Sequence, residues 1–223
     1  MIPAYNCAFF LKETLLSVLA QDPGEDQMQI EVVDDASTDA DVAGLVATLG
    51  KGRVSYYRQP HNVGSLRNFE TCLNRSRGYL VHLLHGDDRV RPGFYTKMGS
   101  LFEAFPTIGA AACRYAYIDA WGNDRQCSDP ERPDDGLLDN WLIRIAQQDR
   151  LQYVSMVVKR SVYEHLGGFT ESPMAKTGKC GYALPAIIRL PIRRKCWPST
   201  ADVRNPLVIR KLQRGMRCGI YVR

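Results

Sequence analysis

The sequence predicts an α/β domain with a mostly parallel sheet, and three observations carry this prediction. Segments with helical periodicity alternate with short β-rich segments, and short turns join them. Residues 79–85 are almost continuously apolar, as in strands buried on both faces of a parallel sheet. The chain has 223 residues and is 45% hydrophobic, which suits one domain with a sizeable core.

The N-terminal end supplies a turn and a helix. Ala8, Leu11 and Leu15 recur at helical spacing and predict a helix that ends near residues 21–24, where Pro and Gly follow. Residues 2–6, Ile-Pro-Ala-Tyr-Asn, have the composition of a strand end and its turn. The first strand is therefore expected to be largely missing or trimmed.

The rest of the body alternates strands and helices. A β-rich segment at 28–35 precedes a short helix that Gly50 ends, with Ser37, Thr38 or Asp39 as its expected N-cap. Further strands are predicted at 53–59, 79–85, 109–119 and the start of 153–169, and further helices at 64–78, 91–105, 137–149 and the end of 153–169.

Charge divides the chain at about residue 173. Of 29 Lys+Arg and 24 Asp+Glu, residues 174–223 hold 12 and 1, which leaves 17 and 23 in residues 1–173. A basic tail could bind nucleic acid or anionic lipid, but these charges have no amphipathic period. Four prolines would also break any long helix there: Pro185, Pro191, Pro198 and Pro206. We expect one folded domain at 1–173 and a poorly ordered tail at 174–223.

The cysteines and the length of the apolar segments indicate the cellular compartment in which the protein is expected. The seven cysteines have no zinc-ligand spacing and are expected to be reduced thiols. No run reaches the roughly 18 apolar residues of a membrane span, and the first residues do not resemble a secretory signal. A cytoplasmic protein is expected, with peripheral attachment at the inner face of the membrane left open.

Three polar clusters follow predicted strands, at 3–6, 32–39 and 83–90. In open α/β sheets, ligands bind beyond the carboxyl ends of the strands. Converging carboxylates and turn residues suit a polar ligand and a divalent cation. Taken singly, Asp34 and Asp35 could equally be a strand end and helix cap, and the Gly-Asp-Asp at 86–88 could equally be a β-turn.

These clusters, together with residues 61–68 and 159–171, resemble the motifs of family 2 inverting glycosyltransferases of the GT-A fold. They occur in the family's order, and the resemblance covers about residues 2–173. It implies that residues 1–173 form a partial nucleotide-sugar-binding domain of the GT-A fold. It implies that a nucleotide-diphosphate sugar, expected to be UDP-linked, donates a sugar to a hydroxyl of a glycan or lipid-linked acceptor. The acceptor is expected to belong to a cell-envelope polysaccharide.

The resemblance also assigns roles to individual residues. Pro3, Ala4, Tyr5 and Asn6 would line the nucleobase and ribose pocket, Asp34 and Asp35 would accept hydrogen bonds from base and ribose, and Arg67 would lie near the phosphates. Asp87 would bind Mg²⁺ or Mn²⁺, with Asp88 as a weaker candidate. The first Asp of the family's Asp-x-Asp motif is His85 here, which leaves metal affinity open.

The general base of the family is absent from its place. It is an Asp shortly after a Gly-Gly-Phe turn, but after Gly167 and Gly168 no acid follows Glu171 until Asp202. Codons for Met174 onward, read from the third base of the Met codon, can spell Gly-Glu-Asp-Trp-Glu-Met-Trp. We therefore expect residues from about 172–174 onward to be out of frame, and the chain as written to be inactive or nearly so.

Three other functions stay open on sequence grounds. A non-catalytic nucleotide-sugar binding module would keep donor binding without transfer. A nucleotidyltransferase would need a Gly-rich basic loop after the first strand, and residues 2–10 lack one. Nucleic-acid binding by the basic tail would show a steep salt dependence, and we do not expect it.

Overall fold

The computed structural model describes residues 1–119, 122–148 and 150–167, and it gives the backbone of 208–211. The helices are α1 (Ala8–Leu19), α2 (Val42–Gly50), α3 (Ser65–Arg75), α4 (Phe94–Ala104), α5 (Trp141–Gln147) and α6 (Arg160–Leu166), with a 3₁₀ turn at Tyr153–Ser155. The strands are β1 (Ile2–Ala4), β2 (Glu31–Asp34), β3 (Ser55–Arg58), β4 (Leu80–His82), β5 (Arg89–Val90), β6 (Ala110–Ala112), β7 (Tyr115–Ile118), β8 (Asp124–Cys127), β9 (Met156–Lys159) and β10 (Val208–Lys211).

The main sheet is mostly parallel, as predicted. β1, β2 and β3 are parallel neighbours, with β2 in the middle. On the other side of β1, backbone hydrogen bonds of 3.0 Å join Leu84 N to Met1 O and Gly86 N to Pro3 O. β4 is antiparallel to β9, and β9 is antiparallel to β6. The strand order is therefore β3–β2–β1–β4–β9–β6, and β9 is the one of these six that runs against the others.

A second sheet has the order β5–β10–β7–β8. β10 is antiparallel to β5 and parallel to β7, and β7 is antiparallel to β8. β10 belongs to the segment 174–223, which was expected to be an irregular tail. These four residues form a regular strand, which differs from that expectation. The rest of the segment lies outside the described residues.

The core is layered on both faces of β2. Val32 and Val33 have no exposed surface and point to opposite faces of the sheet. Val32 belongs to a cluster with Leu11 and Leu15 of α1, and Val33 to a cluster with Phe69 of α3. Each such side chain stabilises the fold by about 1.5–3 kcal/mol through burial. Two helical layers thus hold the sheet rigid beneath its polar edge.

Two strand predictions were incomplete. The predicted strand at 109–119 is split into β6 and β7, because the chain leaves the first sheet at Cys113 and Arg114 and enters the second. The break is held by Cys113 N, which donates to Ser155 O at 3.0 Å. β8 was not predicted, since its residues are polar and mostly exposed and so lack an apolar alternation.

Candidate functional site

Four neighbouring chain segments end at one edge of the main sheet. Ala4, the last residue of β1, lies opposite Asp34, the last residue of β2. Beyond β2, Gln59 N donates to Asp34 O at 2.8 Å, and on the other side Gly86 N donates to Pro3 O at 3.0 Å. The structure thus brings the polar clusters at 3–6, 32–39 and 83–90 together at this edge.

The turn between β1 and α1 is tied to the loop between β2 and α2. Asn6 N donates to Ser37 Oγ at 2.9 Å, and Thr38 N donates to Asn6 Oδ1 at 2.8 Å. Ala8 N donates to Asp39 Oδ2 at 2.9 Å. Asn6 adopts a φ of 46°, a left-handed conformation that asparagine tolerates better than most residues. Tyr5, next to Asn6 in the chain, is 39% exposed.

These contacts correct the expected N-cap of α2. Ser37, Thr38 and Asp39 do not cap it; Asp41 does, accepting a hydrogen bond from Gly44 N at 2.9 Å. Ser37 and Asp39 instead bond to backbone N–H groups of the β1–α1 turn. Sequence preference for these residue types could not separate a cap of α2 from a cross-link between loops.

Asp34 is fully buried, and its carboxylate accepts hydrogen bonds from three protein groups. It has no exposed surface, and Oδ1 accepts a hydrogen bond from Ser37 N at 2.9 Å. Its Oδ2 accepts from Tyr56 Oη at 2.7 Å and from Arg58 Nη1 at 2.5 Å. Burial alone would raise the pKa of Asp34, but the hydrogen bonds from Ser37 and Tyr56 and the charge of Arg58 together lower it. The ionised carboxylate therefore fixes the β2–α2 loop.

Asp35 accepts hydrogen bonds from the loop that precedes α3. Its Oδ1 accepts from Val63 N at 2.7 Å and its Oδ2 from Gly64 N at 3.0 Å. Gly64 stands at the N-cap of α3 with a φ of 86°, so the carboxylate lies at the positive end of that helix. Asn62 Nδ2 adds a hydrogen bond to Asp35 O at 3.3 Å. Asp35 therefore links the ends of β2 and β3 at the polar edge.

Gly86 allows the end of β4 to approach the β1–α1 turn. A Cβ at this position would lie 2.8 Å from Cys7 Sγ and 3.2 Å from Ala4 Cβ. Thr14 Oγ1 of α1 donates to Gly86 O at 3.0 Å in a buried position. The backbone at residue 86 is thus clamped between β1 and α1, and this clamp orients the acidic residues that follow.

Substituting Gly86 by alanine is expected to lower the free energy of unfolding by about 1–3 kcal/mol, because Cys7 and Ala4 would have to move. Urea denaturation followed by circular dichroism measures this. Gly99→Ala is the matched control: Gly99 lies in α4, and a Cβ there would meet nothing within 4 Å. Removing a glycine from a helix should stabilise by about 0.5–1 kcal/mol. Equal stabilities for the two variants would contradict the clamp.

His85, Asp87 and Asp88 form a compact group of possible metal ligands. Ligand atoms of the three side chains lie within 4.8 Å of one another, and His85 Nδ1 is 3.7 Å from Asp88 Oδ2. The imidazole of His85 stacks on the ring of Phe69, with centroids 5.1 Å apart and planes at 15°. Asp88 is buried, whereas Asp87 is half-buried.

The donor set of this group fits a divalent cation. Carboxylate oxygens suit Mg²⁺ and Mn²⁺, and an imidazole nitrogen suits Mn²⁺ better than Mg²⁺. Ligands of an octahedral ion with bonds of about 2.1 Å lie about 3.0 Å apart when adjacent and about 4.2 Å apart when opposite. Since the three ligand atoms lie within 4.8 Å of one another, the side chains would have to draw closer together to bind one ion.

Arg67, the basic residue expected in the site, belongs to α3, whose Phe69 stacks on His85. It projects from the first turn of α3, about half exposed, with Nη1 3.4 Å from Glu70 Oε2. It lines a polar, open cavity of about 580 Å³ together with His61 and Asn62. An ion pair this exposed contributes at most about 1 kcal/mol. Asn62, which bonds to Asp35, lines the same cavity, so the cavity that Arg67 lines adjoins the Asp35 loop.

Sequence reasoning missed Tyr56 and Arg58. They alternate on β3 and so share one face of the strand, and the register places Arg58 directly opposite Asp34. That alternation was visible in the sequence, but the register was not. Residues 168–207, where the family's general base and the proposed change of frame would fall, lie outside the described residues. No helix in the described part of the chain has the length and apolar character to cross a membrane.

Comparison with known proteins gives a consistent family and fold. The family model for "Glycosyl transferase family 2" matches residues 1–166. An uncharacterized protein of Mycobacterium tuberculosis (strain CDC 1551 / Oshkosh) is 37% identical over 110 residues, which are 49% of this chain and 33% of that protein. The chain thus spans only about a third of this relative.

Two solved structures share the fold. S. aureus TarS 1–349, in complex with UDP-GlcNAc, has a TM-score of 0.72 at 15% identity and covers 99% of this chain and 60% of its own. The mannosyltransferase PcManGT from Pyrobaculum calidifontis, in complex with GDP-Man and Mn²⁺, has a TM-score of 0.59 at 19% identity, with 86% and 55% covered.

Proposed function

Because the chain belongs to glycosyl transferase family 2 and has the GT-A fold, we propose that its polar edge binds a UDP-linked sugar for transfer with inversion to an acceptor hydroxyl. The observation that carries this proposal is the meeting of Asp35 with the His85, Asp87 and Asp88 group at one edge of a parallel sheet. Similar structures hold UDP-GlcNAc, or GDP-Man with Mn²⁺, in the same fold.

The nucleoside end of the donor is assigned to the β1–α1 turn and Asp35. Tyr5 offers an exposed ring beside the turn, and uracil N–H and ribose hydroxyls are donors that a carboxylate accepts. The role of Asp34 differs from the one that the resemblance implied. Its two oxygens accept three hydrogen bonds, one of them from the cation Arg58, so we assign it to positioning the loop that carries Asp35. Each oxygen of Asp35 accepts one backbone hydrogen bond and keeps a second lone pair for a ligand.

The diphosphate end is assigned to Asp87, with His85 and Asp88 beside it. A bound Mg²⁺ or Mn²⁺ would offset the charge that develops on the departing diphosphate. Asp87 is the more exposed carboxylate of the group, whereas Asp88 is buried. Arg67 would reach the phosphates from the bordering cavity.

Transfer itself should be impaired, because the general base is missing from its place after Gly167. The family match ends at residue 166, just before the segment that we infer to be out of frame. A general base contributes about 10²–10⁴-fold to a rate. We therefore expect donor binding to persist while transfer falls by at least about 100-fold.

The test compares the chain as written with a variant whose reading frame is restored by one base near codon 173. Calorimetry with UDP and Mn²⁺ should show binding to both proteins. Release of UDP from UDP-sugars, with glycan acceptors, should be at least about 100-fold faster for the restored variant. Equal turnover, or coding DNA in which no single-base change restores the Asp-containing motif, would refute the loss of the base.

A non-catalytic binding module is the second candidate, and the absence of an acid between Glu171 and Asp202 favours it. Both candidates predict that the chain binds the sugar donor. They differ in whether the variant with the restored reading frame transfers sugar. If that variant binds UDP with Mn²⁺ but transfers no sugar from any donor, the module is the better description.

A further inference from the structure

Three polar side chains form a row on the side of α1 that packs against the rest of the domain. Thr14, Ser17 and Gln21 follow one another at intervals of three and four residues, in α1 and the turn that ends it, so they lie on one side. Thr14 is as fully buried as Leu15 and Val18, which belong to the main hydrophobic cluster. A hydroxyl buried in such a place costs free energy unless it forms hydrogen bonds. The partners of the row therefore show why it is polar.

Thr14 bonds to the backbone between two of the candidate metal ligands. Its Oγ1 donates to Gly86 O at 3.0 Å, and its contact with Phe10 O is longer, at 3.3 Å. Gly86 O belongs to the peptide group that joins Gly86 to Asp87, and His85 is the preceding residue. Because a peptide group is planar, a hydrogen bond to its oxygen restricts the orientation of the backbone that enters Asp87.

Ser17 and Gln21 bond to the backbone that follows the candidate ligands. Ser17 Oγ accepts a hydrogen bond from Val90 N at 3.2 Å, and Gln21 Oε1 accepts one from Phe94 N at 2.9 Å. Both side chains are oriented by donating within the helix, Ser17 Oγ to Thr14 O at 2.8 Å and Gln21 Nε2 to Ser17 O at 3.0 Å. Together with Thr14, they fasten the chain on both sides of the two acidic candidate ligands.

We infer that Thr14, Ser17 and Gln21 are positioning residues that set the affinity of the His85, Asp87 and Asp88 group for a divalent cation. The inference rests on the proposed function, in which this group binds Mg²⁺ or Mn²⁺ beside the diphosphate. Ligands whose backbone is already fixed lose less conformational freedom when an ion binds. Groups that orient metal ligands without binding the ion typically change metal affinity by about 10–100-fold.

The experiment titrates the full chain with Mn²⁺ in the presence of UDP and follows the bound ion by electron paramagnetic resonance. Thr14→Val removes the hydroxyl and keeps the branched shape, and it should weaken Mn²⁺ binding by at least about tenfold. Thr14→Ser keeps the hydroxyl and should restore the affinity to within about threefold of the unaltered protein. Ser17→Ala removes the acceptor for Val90 N and should weaken binding by about three- to tenfold.

Ser100→Ala is the matched control, because Ser100 Oγ donates to Lys97 O at 2.8 Å within α4. Its Mn²⁺ affinity should stay within about twofold of the unaltered protein, and amide exchange at Val90 should quicken in Ser17→Ala but not in this control. Should Thr14→Val fail to fold, the comparison of Ser17→Ala with Ser100→Ala decides.

Two results would overturn the positioning role while leaving the proposed function in place. One is that Thr14→Val or Ser17→Ala binds Mn²⁺ as tightly as Ser100→Ala does. The other is that Thr14→Ser loses as much affinity as Thr14→Val, since the hydroxyl would then not be the group that matters. If the unaltered protein binds no Mn²⁺ in the presence of UDP, the proposed function itself is wrong and the positioning role falls with it.

Discussion

Asp34→Ala is expected to lower the free energy of unfolding by about 2–4 kcal/mol, because it leaves buried hydrogen-bond donors without their acceptor. The substitution removes the acceptor for Ser37 N, Tyr56 Oη and Arg58 Nη1 together. Arg58 can regain water because its side chain is 44% exposed, and this keeps the cost below that of a fully buried ion pair. Urea denaturation gives the change directly.

The same group should make stability depend on pH. The pKa of Asp34 is lower in the folded protein than the value of about 3.9 expected in the unfolded chain. Its contribution is therefore complete above that unfolded value and is lost as the pH falls through the folded pKa. Stability of the unaltered protein should decline in this acidic window, and Asp34→Asn should decline less steeply.

Asp41→Asn is the matched control for Asp34. Asp41 is exposed and caps α2, and asparagine caps helices about as well as aspartate. Its stability should remain within about 0.5 kcal/mol of the unaltered protein. If Asp34→Ala costs no more than Asp41→Asn, Asp34 is not the centre of the network described here.

Asp87→Asn is expected to weaken Mn²⁺-dependent binding of UDP by at least about tenfold, because it removes a charged ligand from the donor set. Calorimetry with UDP, with and without Mn²⁺, measures this, and the bound metal can be followed separately by electron paramagnetic resonance. Asp26→Asn is the control, since Asp26 is exposed and far along the chain from the group. An equal loss of UDP affinity in both variants would show that the effect comes from the net charge of the protein and not from a metal ligand at Asp87.

His85→Asp should shift the metal preference. Replacing the imidazole by a carboxylate gives an all-oxygen donor set, which favours Mg²⁺ relative to Mn²⁺. The ratio of the two dissociation constants, measured in the presence of UDP, should therefore move toward Mg²⁺. An unchanged ratio would show that His85 does not bind the ion and that its role is to stack on Phe69.

The sheet and its polar edge could be predicted because they depend on local composition. Alternating apolar segments fix which residues form strands, and parallel strands carry their end residues to one edge. The prediction failed where pairing decides the structure. β8 is polar and exposed, so only its partner β7 makes it a strand. β10 pairs with β5 and β7, which lie far from it in sequence.

The site was predictable as a list of acids but not as a network. Asp34 and Asp35 are adjacent in sequence and were given the same role, yet they point to opposite faces of the sheet. Asp34 accepts hydrogen bonds from Tyr56 and Arg58, whereas Asp35 accepts one from the backbone of Gly64. Gly86 could be taken for a turn glycine, whereas its approach to Cys7 is a packing constraint between distant segments. Register and close approach are properties of the folded chain alone.

The bonds that Asn6 makes with Ser37 and Thr38 bear on the entropy of ligand binding. Two connections that would otherwise fluctuate independently are fastened to each other before any nucleotide arrives. Freezing a mobile loop on binding subtracts from affinity, and here much of that ordering is complete when the domain folds. A nucleoside should therefore find a preformed cleft, and the association rate should show no slow rearrangement step.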